Sequence, residues 1–194
     1  MTDQLVQVNA KTASASNPTR RGLVLIFTGN GKGKTSAALG MIVRASAQNW
    51  RVAFLQFIKN WDFLSEHKTL RERFPEVEHR MFGEGFVGIL GDSKGEAEHR
   101  QAAEEGLREA AELVRGGGFD LVILDEICGT VASGLLAEEA VLELIAAKPA
   151  ALHLVLTGRG ATDKMIEAAD LVTEMTEIKH PYRKGIQAQR GIDF

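Results

Sequence analysis

From Gly22 onward the chain alternates short, continuous apolar runs with longer stretches whose apolar residues recur at helical spacing. Apolar runs of roughly 4–8 residues bounded by turn residues read as strands buried on both faces. By this criterion strands are predicted at Leu23–Phe27, Val52–Ile58, Leu121–Leu124 and Leu152–Leu156, with weaker ones at Val77–Phe82 and Leu171–Met175. Helices are predicted at Ser36–Ala47, Glu96–Val114, Glu138–Ala147 and Asp163–Ala169. In the Glu96–Val114 stretch Ala103, Leu107, Ala110 and Val114 share one face, and Gly116–Gly118 end it. Glu138–Ala147 opens on acidic residues, which favour a helix N-terminus, and is stopped by Pro149. Gly83–Gly95 is Gly-rich and without period, a long loop of the kind that often carries function.

Continuous apolar strands alternating with helices predict an α/β fold, a mostly parallel sheet flanked by helices. Right-handed crossovers then place a ligand site at the carboxyl ends of the strands. The first segment, 1–21, is polar and rich in Ser, Thr, Ala and Asn, and reads as a flexible N-terminal arm ahead of one domain over 22–194. It has no apolar core like that of a secretory signal.

The first predicted strand runs directly into Thr28-Gly29-Asn30-Gly31-Lys32-Gly33-Lys34-Thr35. This matches the phosphate-binding loop G-x-x-x-x-G-K-[ST], with Thr28 at the first Gly position. Glycines lacking a Cβ let successive backbone N–H groups curl round an anion, and the following helix aims its positive end at the same point. Lys34 adds a full charge for the terminal phosphates, and the Thr35 hydroxyl can ligate Mg²⁺. The partner of such a loop is an acidic residue at the end of a buried strand. Leu121-Val122-Ile123-Leu124-Asp125-Glu126 supplies two carboxylates there, able to hold Mg²⁺ directly or through water. Together the motifs predict a P-loop NTPase (RecA-like) fold with a Mg-nucleotide site. They leave the acceptor open: an ATP-hydrolysing switch or assembly protein and a small-molecule kinase both fit.

Composition narrows the field. The 194 residues carry 23 Lys+Arg against 26 Asp+Glu, a net charge of -3. A protein living on nucleic-acid or lipid phosphates needs a basic face, so neither class of partner is expected. No apolar run approaches the ~20 residues of a membrane span. The single cysteine, Cys128, excludes an internal disulfide framework and fits a reducing, cytoplasmic compartment. The 5 histidines are scattered without ligand spacing, so no zinc site is expected. Arg44 and Arg159 can reach phosphate or ribose, or serve as surface charges.

Beyond these general motifs, Phe27–Thr35 resembles the loop of the P-loop type ATP:corrinoid adenosyltransferases, which also carry Thr at the first Gly position. The resemblance continues in Gln56-Phe57-Ile58-Lys59, Gly85-Phe86, Val122–Glu126, Leu156-Thr157-Gly158-Arg159-Gly160 and Ala169–Glu174. It closes with Lys179-His180-Pro181 and Gly185–Phe194, so it covers nearly everything after Gly22.

The resemblance implies transfer of the 5′-deoxyadenosyl group of ATP to the Co(I) of a corrinoid, with release of tripolyphosphate, in adenosylcobalamin biosynthesis or salvage. The nucleophile is then the metal, and Glu126 is better cast as a Mg²⁺ (or Mn²⁺) ligand beside Thr35 and Asp125 than as a base. Lys34, Thr35 and Glu126 are the implied catalytic residues. Gly29, Asn30, Gly31, Lys32, Gly33, Arg44 and Arg159 are implied for nucleotide binding, in an orientation reversed relative to ordinary NTPases. Phe86 matches an aromatic that helps remove the lower axial ligand of cobalt. The family's companion Trp two residues later is replaced here by Gly88. The resemblance further implies a homodimer and a flavoprotein electron donor.

Overall fold

The computed structural model describes residues 21–58, 65–83 and 95–193. Residues 1–20 of the expected arm, Phe86 and Gly88 therefore lie outside the described residues. Among the described residues six strands form one sheet: β1 (Val24–Thr28), β2 (Val52–Gln56), β3 (Glu78–Met81), β4 (Leu121–Asp125), β5 (His153–Thr157) and β6 (Leu171–Glu174). Their order is β3-β2-β4-β5-β1-β6, and every pairing is parallel. The helices are α1 (Lys34–Ser46), α2 (Ser65–Arg73), α3 (Glu96–Gly116), α4 (Ile127–Ala132), α5 (Glu138–Ala146) and α6 (Asp163–Glu167).

Successive strand residues point to opposite faces, and both faces are apolar. Val24, Ile26, Ala53, Leu55, Val122, Leu124, Leu154 and Leu156 pack with Ala103 and Ala110 of α3 and Val141 and Leu144 of α5. The residues between them, Leu25, Phe54, Leu121, Ile123 and Val155, pack with Ala38, Ile42 and Ala45 of α1 and Leu70 of α2. This is the α/β architecture expected of a P-loop NTPase (RecA-like) fold. Strand β5 separates the loop-bearing strand β1 from the acidic strand β4. The edge strand β6 is exposed along its length.

Three differences from the pattern-based reading have local causes. Strand β2 ends at Gln56, although the apolar run continues to Ile58. Phe57 stays apolar because it packs in the core beside Phe82, with ring centroids 6.2 Å apart, after leaving the sheet. Helix α2 has no predicted counterpart, because its sequence SEHKTLRER buries only His67 and Leu70. Helix α4 is six residues long, too short to show a period. Among the described residues no helix is long and apolar enough to cross a membrane.

Candidate functional site

The carboxyl ends of β1, β4, β5 and β2 converge on one edge of the sheet, as the parallel topology dictates. Thr28 closes β1 with extended backbone, so the position normally given to glycine needs none here. Its hydroxyl accepts the Ala161 N–H at 3.2 Å and ties the loop to the segment after β5. Gly29 does require its residue type: φ is +93°, and a Cβ there would lie 2.5 Å from the Met175 carbonyl oxygen. Gly31 faces the same oxygen and donates its N–H to it at 2.6 Å. The chain leaving β6 thus forms the outer wall of the loop.

Helix α1 begins at Lys34, two residues earlier than its apolar period indicates, so Lys34 and Thr35 occupy its first turn. A helix start there directs backbone N–H groups and the positive end of the helix into the loop. Lys34 is buried, and its Nζ donates to the carbonyl oxygens of Gly29 and Gly31, each at 2.8 Å. Lys32 points away and forms an ion pair with Asp193 of the C-terminal tail.

Opposite the loop, Asp125 is fully buried at the end of β4. Its carboxylate accepts from the Thr35 hydroxyl at 3.0 Å, the Thr157 hydroxyl at 2.7 Å and the Gln56 amide at 3.3 Å. Such donors stabilise a buried anion that would otherwise be costly. Glu126 follows with φ +67°, an unusual conformation for a residue with a side chain. Its N–H donates to Thr157 Oγ1 at 2.9 Å, and it caps α4. Cys128, inside α4, is buried, and burial first and then the Glu126 charge push its thiol up to about 12. It is a small core residue, not a nucleophile.

Two hollows flank the loop. One, of about 400 Å³, is polar and lined by Asn30, Arg159, Glu174, Thr176, Glu177 and Arg183. Arg183 is paired with Glu177, so the charge of the arginines is partly offset. The other, of about 310 Å³, runs from Thr35 and Ser36 along Leu39 and Val43 to Leu70, Phe74 and Ile192. Arg159 is therefore brought beside the loop. Arg44 is exposed in the last turn of α1, about 15 Å along the helix axis from Lys34, and is not brought there.

The structure brings together Gly29–Gly33, Lys34, Thr35, Asp125, Glu126 and Arg159. It adds Gln56 and Thr157, which sequence reading passed over except as part of wider motifs. The available signal was a polar residue ending each of two otherwise apolar runs, VAFLQ and HLVLT.

Comparison with known proteins places the chain among named relatives. The chain is 42% identical over 188 residues to a corrinoid adenosyltransferase of Pseudomonas aeruginosa, covering 96% of this chain and 90% of that protein. It is 34% identical to a corrinoid adenosyltransferase of Escherichia coli K12, covering 97% and 92%. A solved structure of the flagellar accessory protein FlaH from Methanocaldococcus jannaschii shares the fold at TM-score 0.56 and 10% identity, over 80% of this chain and 71% of that one. The model of the ATP:corrinoid adenosyltransferase family BtuR/CobO/CobP matches residues 20–194, and the chain belongs to that family.

Proposed function

We propose that this protein transfers the 5′-deoxyadenosyl group of ATP to the Co(I) centre of a corrinoid. One observation carries this reading: a chain matching the family over residues 20–194 converges Lys34, Thr35, Asp125 and Glu126 on a single sheet edge. In the transfer, the cobalt electron pair forms a bond to ribose C5′ while the C5′–O bond breaks. Tripolyphosphate departs with that bond's electrons.

Because the nucleophile is the corrinoid metal, the protein need not abstract a proton. Its task is to hold ATP in line and to stabilise charge that grows on the leaving phosphate chain. The loop N–H groups, the start of α1 and Lys34 provide fixed positive potential for that, and preorganised charge is commonly the largest catalytic contribution. Arg159 adds positive charge from the polar hollow beside Asn30. The hydroxyl of Thr35 and the carboxylates of Asp125 and Glu126 form a hard, all-oxygen donor set. Together with phosphate oxygens such donors suit Mg²⁺ or Mn²⁺, which typically takes one or two protein carboxylates. When bound there, the cation would neutralise the departing polyphosphate. From the family resemblance alone, Phe86 is proposed to help displace the lower axial ligand of cobalt.

The assembly is proposed to be a homodimer, consistent with the exposed edge strand β6 and its Leu171 and Val172. Reduction of the cobalt is assigned to a separate flavoprotein delivering single electrons. The lone buried cysteine fits a cytoplasmic setting. Family membership does not favour the hydrolytic switch or the small-molecule kinase.

The test is incubation with ATP, Mg²⁺ and chemically reduced corrinoid, followed by phosphorus NMR and the visible spectrum. Tripolyphosphate with a light-sensitive alkylcobalt spectrum is expected. ADP without a cobalt–carbon bond would overturn the assignment.

A further inference from the structure

Gln56 is fully buried at the end of β2, in register with Asp125 on β4 and Met81 on β3. Its Nε2 lies 3.3 Å from Asp125 Oδ2, while its Oε1 lies 2.7 Å from His67 Nε2 and 3.0 Å from His79 Nε2. These contacts determine one another. An ionised carboxylate only accepts, so the amide must turn its NH₂ toward Asp125. Its oxygen then faces both imidazoles, and each must carry its proton on Nε2. The two lone pairs of Oε1 are thereby occupied, and reversing the amide would set oxygen against carboxylate.

We propose that Gln56, locked by His67 and His79, is a positioning residue that holds the Asp125 carboxylate in register with the Thr35 hydroxyl for the divalent cation of the ATP complex. This rests on the reading of Thr35 and Asp125 as cation ligands. Residues that hydrogen-bond a metal ligand orient it, and their loss typically weakens metal binding about 10–100-fold. The arrangement also ties helix α2, through His67, and edge strand β3, through His79, to the phosphate site. The packing is specific as well as polar: His79 stacks on Phe54 with centroids 5.5 Å apart, and the two histidine rings lie 5.0 Å apart.

Gln56→Met tests this, since it keeps the side-chain length and removes both ends of the amide. The probe is Mn²⁺ with ATP, its binding followed by electron paramagnetic resonance and the fold by thermal melting. Mn²⁺ binding at least about tenfold weaker than in the parent protein is expected. Added to Asp125→Asn, the same change should weaken binding no further, because both act through one carboxylate. His79→Phe keeps the ring against Phe54 and removes one donor to Gln56; a loss smaller than that of Gln56→Met is expected, and this variant decides where Gln56→Met does not fold. Unaltered Mn²⁺ affinity in the folded variants, or full additivity with Asp125→Asn, would overturn the proposal. ATP binding by the parent protein without any Mn²⁺ dependence would overturn the cation reading itself, and this proposal with it.

Discussion

The Thr157 hydroxyl donates to Asp125 Oδ1 at 2.7 Å, joining the end of β5 to the end of β4 across the sheet edge. Thr157 Oγ1 in turn accepts the Glu126 N–H at 2.9 Å, so one side chain steadies both residues of the acidic pair. A serine would preserve this double role, and an isosteric valine would remove it.

Thr157→Val is expected to lower stability by about 2 kcal/mol, the cost of leaving a buried donor and acceptor without their partner. Adenosyl transfer should fall roughly tenfold or more as Asp125 and Glu126 lose their orientation. Thr157→Ser should restore most of both. Urea denaturation and initial transfer rates check this, and a valine variant matching the parent protein in both would refute the role.

Gly158 has φ +133°, and a Cβ on it would lie 2.6 Å from the Gly129 backbone nitrogen and 3.1 Å from Cys128 Cβ. Neither neighbour can give way cheaply, because both belong to α4 packed against β5. Gly158→Ala should destabilise the fold by about 3 kcal/mol or more, combining backbone strain with overpacking. Thermal melting compared with Gly116→Ala, where a Cβ meets open space, isolates the effect.

His79 is held down to about 4 from its ordinary value of 6.5, chiefly by burial and secondarily by His67. Its folded form resists the proton that the unfolded chain accepts, so unfolding takes up a proton between these values. Stability should therefore fall as pH drops from about 6.5 towards 4, with no such contribution above 6.5. In His79→Phe this component should vanish, leaving a shallower slope contributed by other groups. Urea midpoints from pH 4 to 7 measure the difference, and parallel slopes would contradict it.

Cys128 should resist alkylation at neutral pH, because burial and the Glu126 charge keep its thiol protonated up to about 12. Iodoacetamide followed by mass spectrometry should show no adduct on the folded protein and full labelling in urea. Labelling of the folded protein at the rate of a free thiol would show that α4 opens readily.

Legibility tracked the kind of interaction involved. The phosphate loop, its helix and the Asp125–Glu126 pair were readable because each is carried by consecutive residues whose chemistry is local. Strands β1, β4 and β5 announced themselves by uninterrupted apolar runs, since both of their faces are covered. Helix α2 did not, because one buried leucine and one buried histidine make no period. Gln56 and Thr157 were visible only as polar ends of apolar strands. Their partners lie 69 and 32 residues away, and no spacing rule connects them. Arg44 and Arg159 shows the converse limit: both are arginines near motifs, yet one lies beside the loop and the other at the far end of α1.

By itself the chain determined an α/β fold, the strand–loop–helix motif at Thr28–Thr35 and, through dispersed motifs in order, the family. These follow from burial and backbone chemistry acting over a few consecutive residues. The strand order, with β5 between the loop strand and the acidic strand, was decided only in three dimensions. That order is what sets Thr157 and Gln56 on either side of Asp125, because parallel strands deliver their carboxyl ends to one edge whatever their separation in sequence.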